Sequence, residues 1–378
     1  MEARRGYAIV RDGARWLVGE HPSRVITARG ANVFDALEEM AIGGFWVGFV
    51  AYEAGRAIEH VDARSADDLD LPDLAFARFD DIRTEHDLTA LEALRLPPVV
   101  DLGTGISSLT PSEHAALVDR IHTLLVEGEC YQVNLTRRLT FDSAPEPLDL
   151  FAALTRANPS PYAGVCAFGD VLPGVAVVSA SPECFLRVEG RAVETRPIKG
   201  TAADAATLLG SEKDHAENVM IVDLARNDLG RVCEFGSIRV PSLFVVEAHP
   251  GLVHLVSTVR GTLRADVGLG DLLRATFPPA SVTGAPKPRV LQAIEDLEPV
   301  PRGVYCGAFG WIDADRARLD LAVAIRTFTL ADGRARLGVG GGIVADSCAP
   351  GEWAETELKA ARLVRAAGAR TAAPVHAR

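Results

Sequence analysis

No stretch of the sequence stays apolar long enough to cross a bilayer: the densest runs, GGFWVGFVAY and GVAVVSA, fall far short of the roughly 20 residues a spanning helix needs. The opening MEARRGYAIVRDGARW has no apolar core of the kind that makes a secretory signal, so the expectation is a soluble, cytoplasmic chain. Basic charge is also short. With 39 Lys and Arg against 51 Asp and Glu, the chain carries -12 at pH 7 and has no broad positive surface to neutralise phosphates, which excludes a nucleic-acid partner. The six cysteines (Cys130, Cys166, Cys184, Cys233, Cys306 and Cys348) form no CxxC pair and have no histidine at zinc spacing, so reduced, mostly buried thiols are expected. There is no repeat of fixed period and no low-complexity segment. What remains is globular composition, 48% hydrophobic and 24% charged, over 378 residues, enough for one large domain or two closely joined ones.

Three textures follow one another along the chain. Residues 1 to about 79 alternate short apolar runs with turns (YAIV, WLVGE, FWVGFVAY), the pattern of a small antiparallel sheet. From Asp80 to about Thr110 the chain is polar and broken by Pro and Gly, as in an excursion or linker. Thr110-Pro111-Ser112-Glu113 then opens a helix, with Leu117, Ile121, Leu124 and Leu125 at helical spacing and a stop near Gly128. Beyond it, strand-like runs recur hairpin fashion among a few clear helices, so the fold class is antiparallel α+β rather than a doubly wound sheet. Cys166 in GVCAFG comes near the G-x-C-x-G turn that carries a nucleophilic thiol, but its second glycine is one residue late and no His/Glu pair follows.

Two helical segments carry carboxylates three residues apart. In SEKDHAENVMIVDLARNDLG, Ser211 caps, Gly230 terminates, and Asp214 and Glu217 share a face with Ile221 and Leu224. In APGEWAETELKAARLV, Glu352, Glu355 and Lys359 share a face. Either helix alone is explained by its dipole and an i,i+4 ion pair. Together they make an all-oxygen set of four carboxylates, which suits Mg²⁺ with open positions for an anionic ligand. GVGGGIVADS, residues 338 to 347, reads as a turn able to aim backbone N–H groups at an oxyanion or simply as a tight turn that needs positive φ. FPPASVTGAPKPRVLQAIEDL is a second turn-to-helix junction, with Ser281 and Thr283 beside backbone donors. RPIKGTAAD places Lys199 in a turn, where a lone lysine is ordinarily solvated, and Glu183 follows a proline at a strand start in ASPECF, ordinarily an edge position.

In this order, YQVNLT, ASPECF, RPIKGT, HAENVMIVDLARNDLGRV, HLVSTVRG, FPPASVTGAPKPR, GVYCGAFG, AIRTF, GGGIVADS and EWAETELK resemble the chorismate-utilising enzymes, from about Pro111 to Val364. That family includes the anthranilate, aminodeoxychorismate, isochorismate and salicylate synthases. The resemblance implies two packed, mainly antiparallel sheets flanked by helices, with an N-terminal β-rich subdomain and linker over 1–110, a catalytic domain over 111–367 and a tail over 368–378. It also implies the nucleophile. Members that use water carry a lysine base where this chain has Gln132, so ammonia is implied; anthranilate synthases typically have alanine where this chain has Lys199, whereas the aminodeoxychorismate branch is similar in its PIKGT and YQVNLT. The expectation is therefore amination of chorismate at C4 on the way to 4-aminobenzoate and folate. The anthranilate branch and a non-catalytic chorismate-binding subunit stand as alternatives.

By the same resemblance Lys199 adds at C2 of the substrate while Glu183, kept protonated by burial, gives a proton to the departing C4 hydroxyl. Glu217 and Glu355 are implied as direct Mg²⁺ ligands, with Asp214 and Glu352 acting through waters. Arg326 and Tyr305 are to hold the enolpyruvyl carboxylate, assisted by Lys359 and the backbone of Gly340, Gly341 and Gly342. His254, Ser281, Thr201 and Gln132 are to line the ring, the leaving hydroxyl and the nucleophile. No amidotransferase or lyase domain is expected within this chain, and the resemblance implies a glutamine amidotransferase subunit as the ammonia-supplying partner.

Overall fold

Alternating apolar residues along the first strand decide the architecture. A computed structural model describes residues 6–65, 67–88, 100–202, 204–249 and 252–371. In the strand Tyr7–Asp12, Ala8 and Val10 point into a core shared with Val47, Phe49, Ala75, Ala77, Phe309 and Trp311, while Ile9 points the opposite way, toward Phe151 and Val165. Two sheets thus pack face to face, and each buries its outer face under helices. The eleven-stranded sheet takes Pro147–Ala157 and Ala349–Ala366 on its outer side; the ten-stranded sheet takes Asn32–Met40, Glu212–Gly230 and Leu269–Thr276. Among the described residues the pairing is antiparallel, except for the short Arg370–Thr371, which runs parallel to Thr104–Ser107. The expected α+β class with two packed sheets is what the chain adopts. Among the described residues no helix is long and apolar enough to cross a membrane.

The first 79 residues make no small sheet of their own, contrary to expectation. Tyr7–Asp12 pairs with Tyr162–Ala167 in one sheet, and Phe45–Val50 pairs with Ala308–Asp313 in the other. An isolated meander of such short strands would leave one apolar face wet, and the two large sheets cover both faces. Local signals held where they were local: Thr110 and Glu113 form the reciprocal capping box of Pro111–Val126, and Gly128 leaves that helix at φ +76. Five cysteines are buried and Cys348 is exposed; Cys166, fully buried against the carbonyl of Val47, has the surroundings of a packing residue.

Two of the places where the chain changes sheets are neighbours in space. Between Ala176–Ser181 and Cys184–Glu189 it crosses from the eleven-stranded to the ten-stranded sheet at Glu183, and between Arg318–Val323 and Thr327–Ala331 it crosses back at Arg326. The crossings are laced together: Val323 N–H donates to the carbonyl of Glu183 and Ala180 N–H to that of Arg326, both at 3.0 Å. At such a corner side chains leave the sheet plane, and here they enter the candidate site.

Candidate active site

Glu183 is 3% exposed, and its carboxylate meets the N–H of Ile198 at 3.4 Å and the hydroxyl of Ser281. Burial raises its pKa to about 7, against the opposing pull of Ser281, Lys199, the Ile198 N–H and Arg326. A strand-edge position was the ordinary expectation for this glutamate, but the sheet crossing takes it inside. Lys199 likewise occupies no solvated turn. It lies in the strand Ile198–Ala202, paired with Leu252–Thr262, and the register shifts at Gly200, whose φ of +79 and lack of a Cβ let Asp214 approach to 2.9 Å of where that Cβ would be. The Lys199 ammonium donates to the carbonyl of Ser281 at 3.2 Å and lies 4.0 Å from Glu217. Burial lowers its pKa, while Glu217 and Glu183 act against the shift. Ser281 thus holds the acid with its hydroxyl and the amine with its carbonyl.

Arg326, the second corner residue, adopts φ +52, and its Nη2 lies 3.3 Å from Nε2 of the buried His254. Burial lowers its pKa to about 10, helped by the neighbouring Arg362 and opposed by Glu183. Two guanidiniums so placed suit a carboxylate ligand. Thr201 pairs with His254 in the backbone ladder, but its side chain lies outside the described residues.

The glycine run is not a turn. Gly338, Gly340, Gly341 and Gly342 lie inside the strand Arg334–Ile343, paired in register with Gln132–Phe141, and none of these four has a positive φ. Three of them have side chains of the site laid against them. A Cβ at Gly338 would lie 2.2 Å from the ring of Tyr305; at Gly342, 2.0 Å from Nε2 of Gln132; at Gly341, 3.3 Å from Glu352 and 3.5 Å from Glu355. The strand is a bare wall against which an aromatic ring, an amide and two carboxylates are laid. The Gly340 carbonyl accepts from Lys359 at 2.8 Å, which fixes that ammonium against the strand. Gln132 is 1% exposed and its Oε1 has no hydrogen-bond partner among the described residues, so an acceptor is left for a donor from outside the chain. Gly338→Ala should displace Tyr305 and cost about 1–3 kcal/mol of stability by overpacking, read as a lower urea midpoint together with weaker chorismate binding.

The four carboxylates face one another across two helices, with lysines between them. Lys213 lies 3.8 Å from Glu217 and 4.0 Å from Glu352, bridging the helices Glu212–Gly230 and Ala349–Ala366, and Lys359 pairs with Glu355 at 2.6 Å. Burial raises the pKa of Glu217. Burial acts in the same direction on Glu355, but Lys359, Lys213 and Lys199 outweigh it and hold that carboxylate below its ordinary value. Among the described residues no three His, Cys, Asp or Glu side chains converge closely enough to chelate an ion in this arrangement. The set nonetheless fits a hard divalent cation by its all-oxygen donors, with Glu352 and Glu355 brought side by side against the bare backbone of Gly341.

Sequence reasoning passed over the Ser281 carbonyl, Lys213 and Arg362, and also the buried Glu298, which pairs with Arg302 at 2.7 Å behind Tyr305. A signal for the lysines did exist: only four of the 39 basic residues are lysine (Lys199, Lys213, Lys287 and Lys359), and three of them surround the carboxylates. In a chain that otherwise uses arginine, a lysine marks a place where a compact ammonium or a titratable amine is needed.

The profile of the chorismate binding enzyme family matches residues 17–365. Aminodeoxychorismate synthase component 1 of Klebsiella aerogenes is 39% identical over 347 residues, 84% of this chain and 76% of that protein. Anthranilate synthase component 1 of Archaeoglobus fulgidus is 37% identical over 377 residues, 95% and 89% of the two chains. Among solved structures, anthranilate synthase component I from Streptococcus pneumoniae superposes with a TM-score of 0.77 at 29% sequence identity, over 95% of this chain and 92% of the other. The chain belongs to the chorismate binding enzyme family and is a chorismate-utilising enzyme.

Proposed function

We propose that this chain is an aminodeoxychorismate synthase component 1, which converts chorismate and ammonia into 4-amino-4-deoxychorismate on the route to 4-aminobenzoate and folate. The observation that carries the reading is the buried amine of Lys199, held on the same residue as the buried acid Glu183. The Lys199 nitrogen adds its lone pair at C2; the two ring double bonds each shift by one position, and the C4–O bond breaks as Glu183 protonates the departing oxygen, releasing water. Ammonia then forms the C4–N bond, the double bonds return, and the C2–N bond breaks so that Lys199 leaves with its electron pair. The proton shed by the new C4 ammonium restores Glu183. Arg326 and Tyr305 orient the enolpyruvyl carboxylate, and His254 lies beside the ring. Gln132, an amide rather than a base, accepts from the entering ammonia.

The fit of the carboxylates supports Mg²⁺ as cofactor, held by Glu217 and Glu355 directly and by Asp214 and Glu352 through water; when bound it supplies positive charge for the ring carboxylate. Lys359 and the glycine wall bound the same end of the site. A glutamine amidotransferase subunit is the ammonia source in this reading. A second reading, anthranilate synthase component 1, is favoured by relatives of similar identity; it shares the fold and the site and differs in giving Lys199 no covalent part.

Incubation of the purified chain with chorismate, Mg²⁺ and ammonium, with products identified by mass before and after addition of an aminodeoxychorismate lyase, decides between them. An amino product that the lyase converts to 4-aminobenzoate supports the first reading. Anthranilate and pyruvate formed without the lyase would establish the second.

A further inference from the structure

Lys287 stands apart from the lysines already placed. It opens the helix Lys287–Leu297 and is 8% exposed; Asp228, in the last turns of Glu212–Gly230, is 7% exposed. The Lys287 ammonium donates to Asp228 Oδ2 at 2.8 Å and to the carbonyl of Thr276 at 3.1 Å. Burying two ions carries a desolvation cost that only close geometry offsets, so such a pair is a poor stabiliser compared with apolar packing. Its value lies in what it joins: the end of the helix that begins with Asp214 and Glu217, the end of Leu269–Thr276, and the start of Lys287–Leu297. Between the last two runs the segment 277–286, which carries Ser281, and one nitrogen pins both of its ends.

The middle of the segment is held from the other side by Arg302, which donates to the carbonyl of Val282 at 2.8 Å. The Thr283 hydroxyl ties the turn internally to the carbonyls of Pro279 and Ala280. Beneath the turn lies a cavity of about 30 Å³ lined by Asp228, Thr276, Ser281 and Glu183 among others. Phe277 and Val282 are packed into the core and Gly284–Ala285 pairs with Val133 and Gln132, so the apolar side chains and this pairing seat the segment while its polar ties set the orientation of the turn that carries Ser281.

We propose that the Lys287–Asp228 pair is a positioning device for the reaction, holding the 277–286 turn so that Ser281 meets Glu183 with its hydroxyl and Lys199 with its carbonyl at the same time. The proposal rests on the roles given above to Glu183 and Lys199. If the pin is lost, both ends of the segment are released, the turn relaxes by a fraction of an ångström and both Ser281 contacts lengthen together. The groups facing Glu183 are Ser281, Lys199, the Ile198 N–H and Arg326, with Thr195 and Asp228 on the cavity wall; of these, Ser281 is the one carried on the segment that relaxes. Since its hydrogen bond lowers the pKa of Glu183, losing it moves that pKa upward.

The test compares wild type, Lys287→Met, Lys287→Arg and Asp228→Asn for kcat, for KM toward chorismate and for the alkaline limb of the pH–rate profile, with ammonium as nitrogen source. Lys287→Met and Asp228→Asn are expected to lower kcat about 10- to 100-fold, as misplacement by about an ångström does, with KM within about twofold of wild type and the limb displaced to higher pH. Lys287→Arg, which keeps the cation, should recover most of kcat and return the limb. An unchanged kcat, or a loss of kcat with the limb unmoved and no recovery in Lys287→Arg, overturns the proposal. Should Lys287→Met not fold, Asp228→Asn and Lys287→Arg carry the same comparison. A wild-type chain that makes no amino product from chorismate and ammonium defeats the functional reading itself, whereas an active wild type with indifferent variants defeats only the pin.

Discussion

Lys199→Ala should abolish formation of the 4-amino product, lowering kcat by at least about 10³-fold, while KM for chorismate changes only a few-fold. The asymmetry follows from where the ammonium is. It lies against the Ser281 carbonyl and 4.0 Å from Glu217, on the wall of the site where the acid is, whereas the charged groups proposed to bind the substrate carboxylates, Arg326 and Lys359, are separate side chains. A residue used only for binding would raise KM on removal. One used as a nucleophile leaves binding intact and removes the path from C2 to C4. The check is a product-resolved assay together with intact-protein mass, which in the wild type should show a chorismate-derived adduct when ammonia is withheld and in the variant should show none. Normal 4-amino product from Lys199→Ala would sink the covalent route. Appearance of anthranilate in the variant would instead show that ammonia can enter at C2 once the lysine no longer occupies that path.

What could be read from the chain without coordinates depended on how far apart in sequence the deciding contacts lie. The capping box of Thr110 and Glu113 is complete within four residues and was legible. The strand Arg334–Ile343 looks like a turn in sequence because three of its glycines lie against Tyr305, Gln132, Glu352 and Glu355, and nothing in GVGGG separates room for a neighbour from positive φ. Spacing alone cannot place Lys199 for the same reason: a lysine before a glycine looks solvated until the strand Leu252–Thr262 and the helix Glu212–Gly230 close over it, and only the family resemblance puts its amine in a desolvated site. The antiparallel pattern of the first strands is legible, but Tyr7–Asp12 and Phe45–Val50 each also pair with a strand that begins more than 150 residues later. Motif resemblance supplied the site residues that spacing could not, and the structure adds the reason they converge, which is the pair of sheet crossings at Glu183 and Arg326.

Those crossings make Glu183 the residue whose replacement separates catalysis from folding most sharply. Glu183→Gln keeps the shape of the side chain and removes the transferable proton, so kcat should fall about 10²- to 10⁴-fold, the usual contribution of a positioned general acid. In the wild type the acid is competent while protonated, so kcat/KM should hold up to about pH 7 and fall tenfold per unit above it; the residual activity of the variant should show no such limb. Stability should move the other way. Burial raises the folded-state pKa of this carboxyl from 4.5 to about 7, so between those values the folded chain binds the proton more tightly than the unfolded one, and stability declines as pH rises through that window. Glutamine carries no proton to lose. At pH 8 the variant should therefore be more stable than wild type, by on the order of 2–3 kcal/mol, and at pH 4 the difference should vanish. Denaturation midpoints at the two pH values measure this directly. A variant that is inactive yet more stable at pH 8 cannot owe its inactivity to unfolding, whereas one less stable at both pH values would mean that the buried carboxyl is held ionised and serves the fold rather than the leaving hydroxyl.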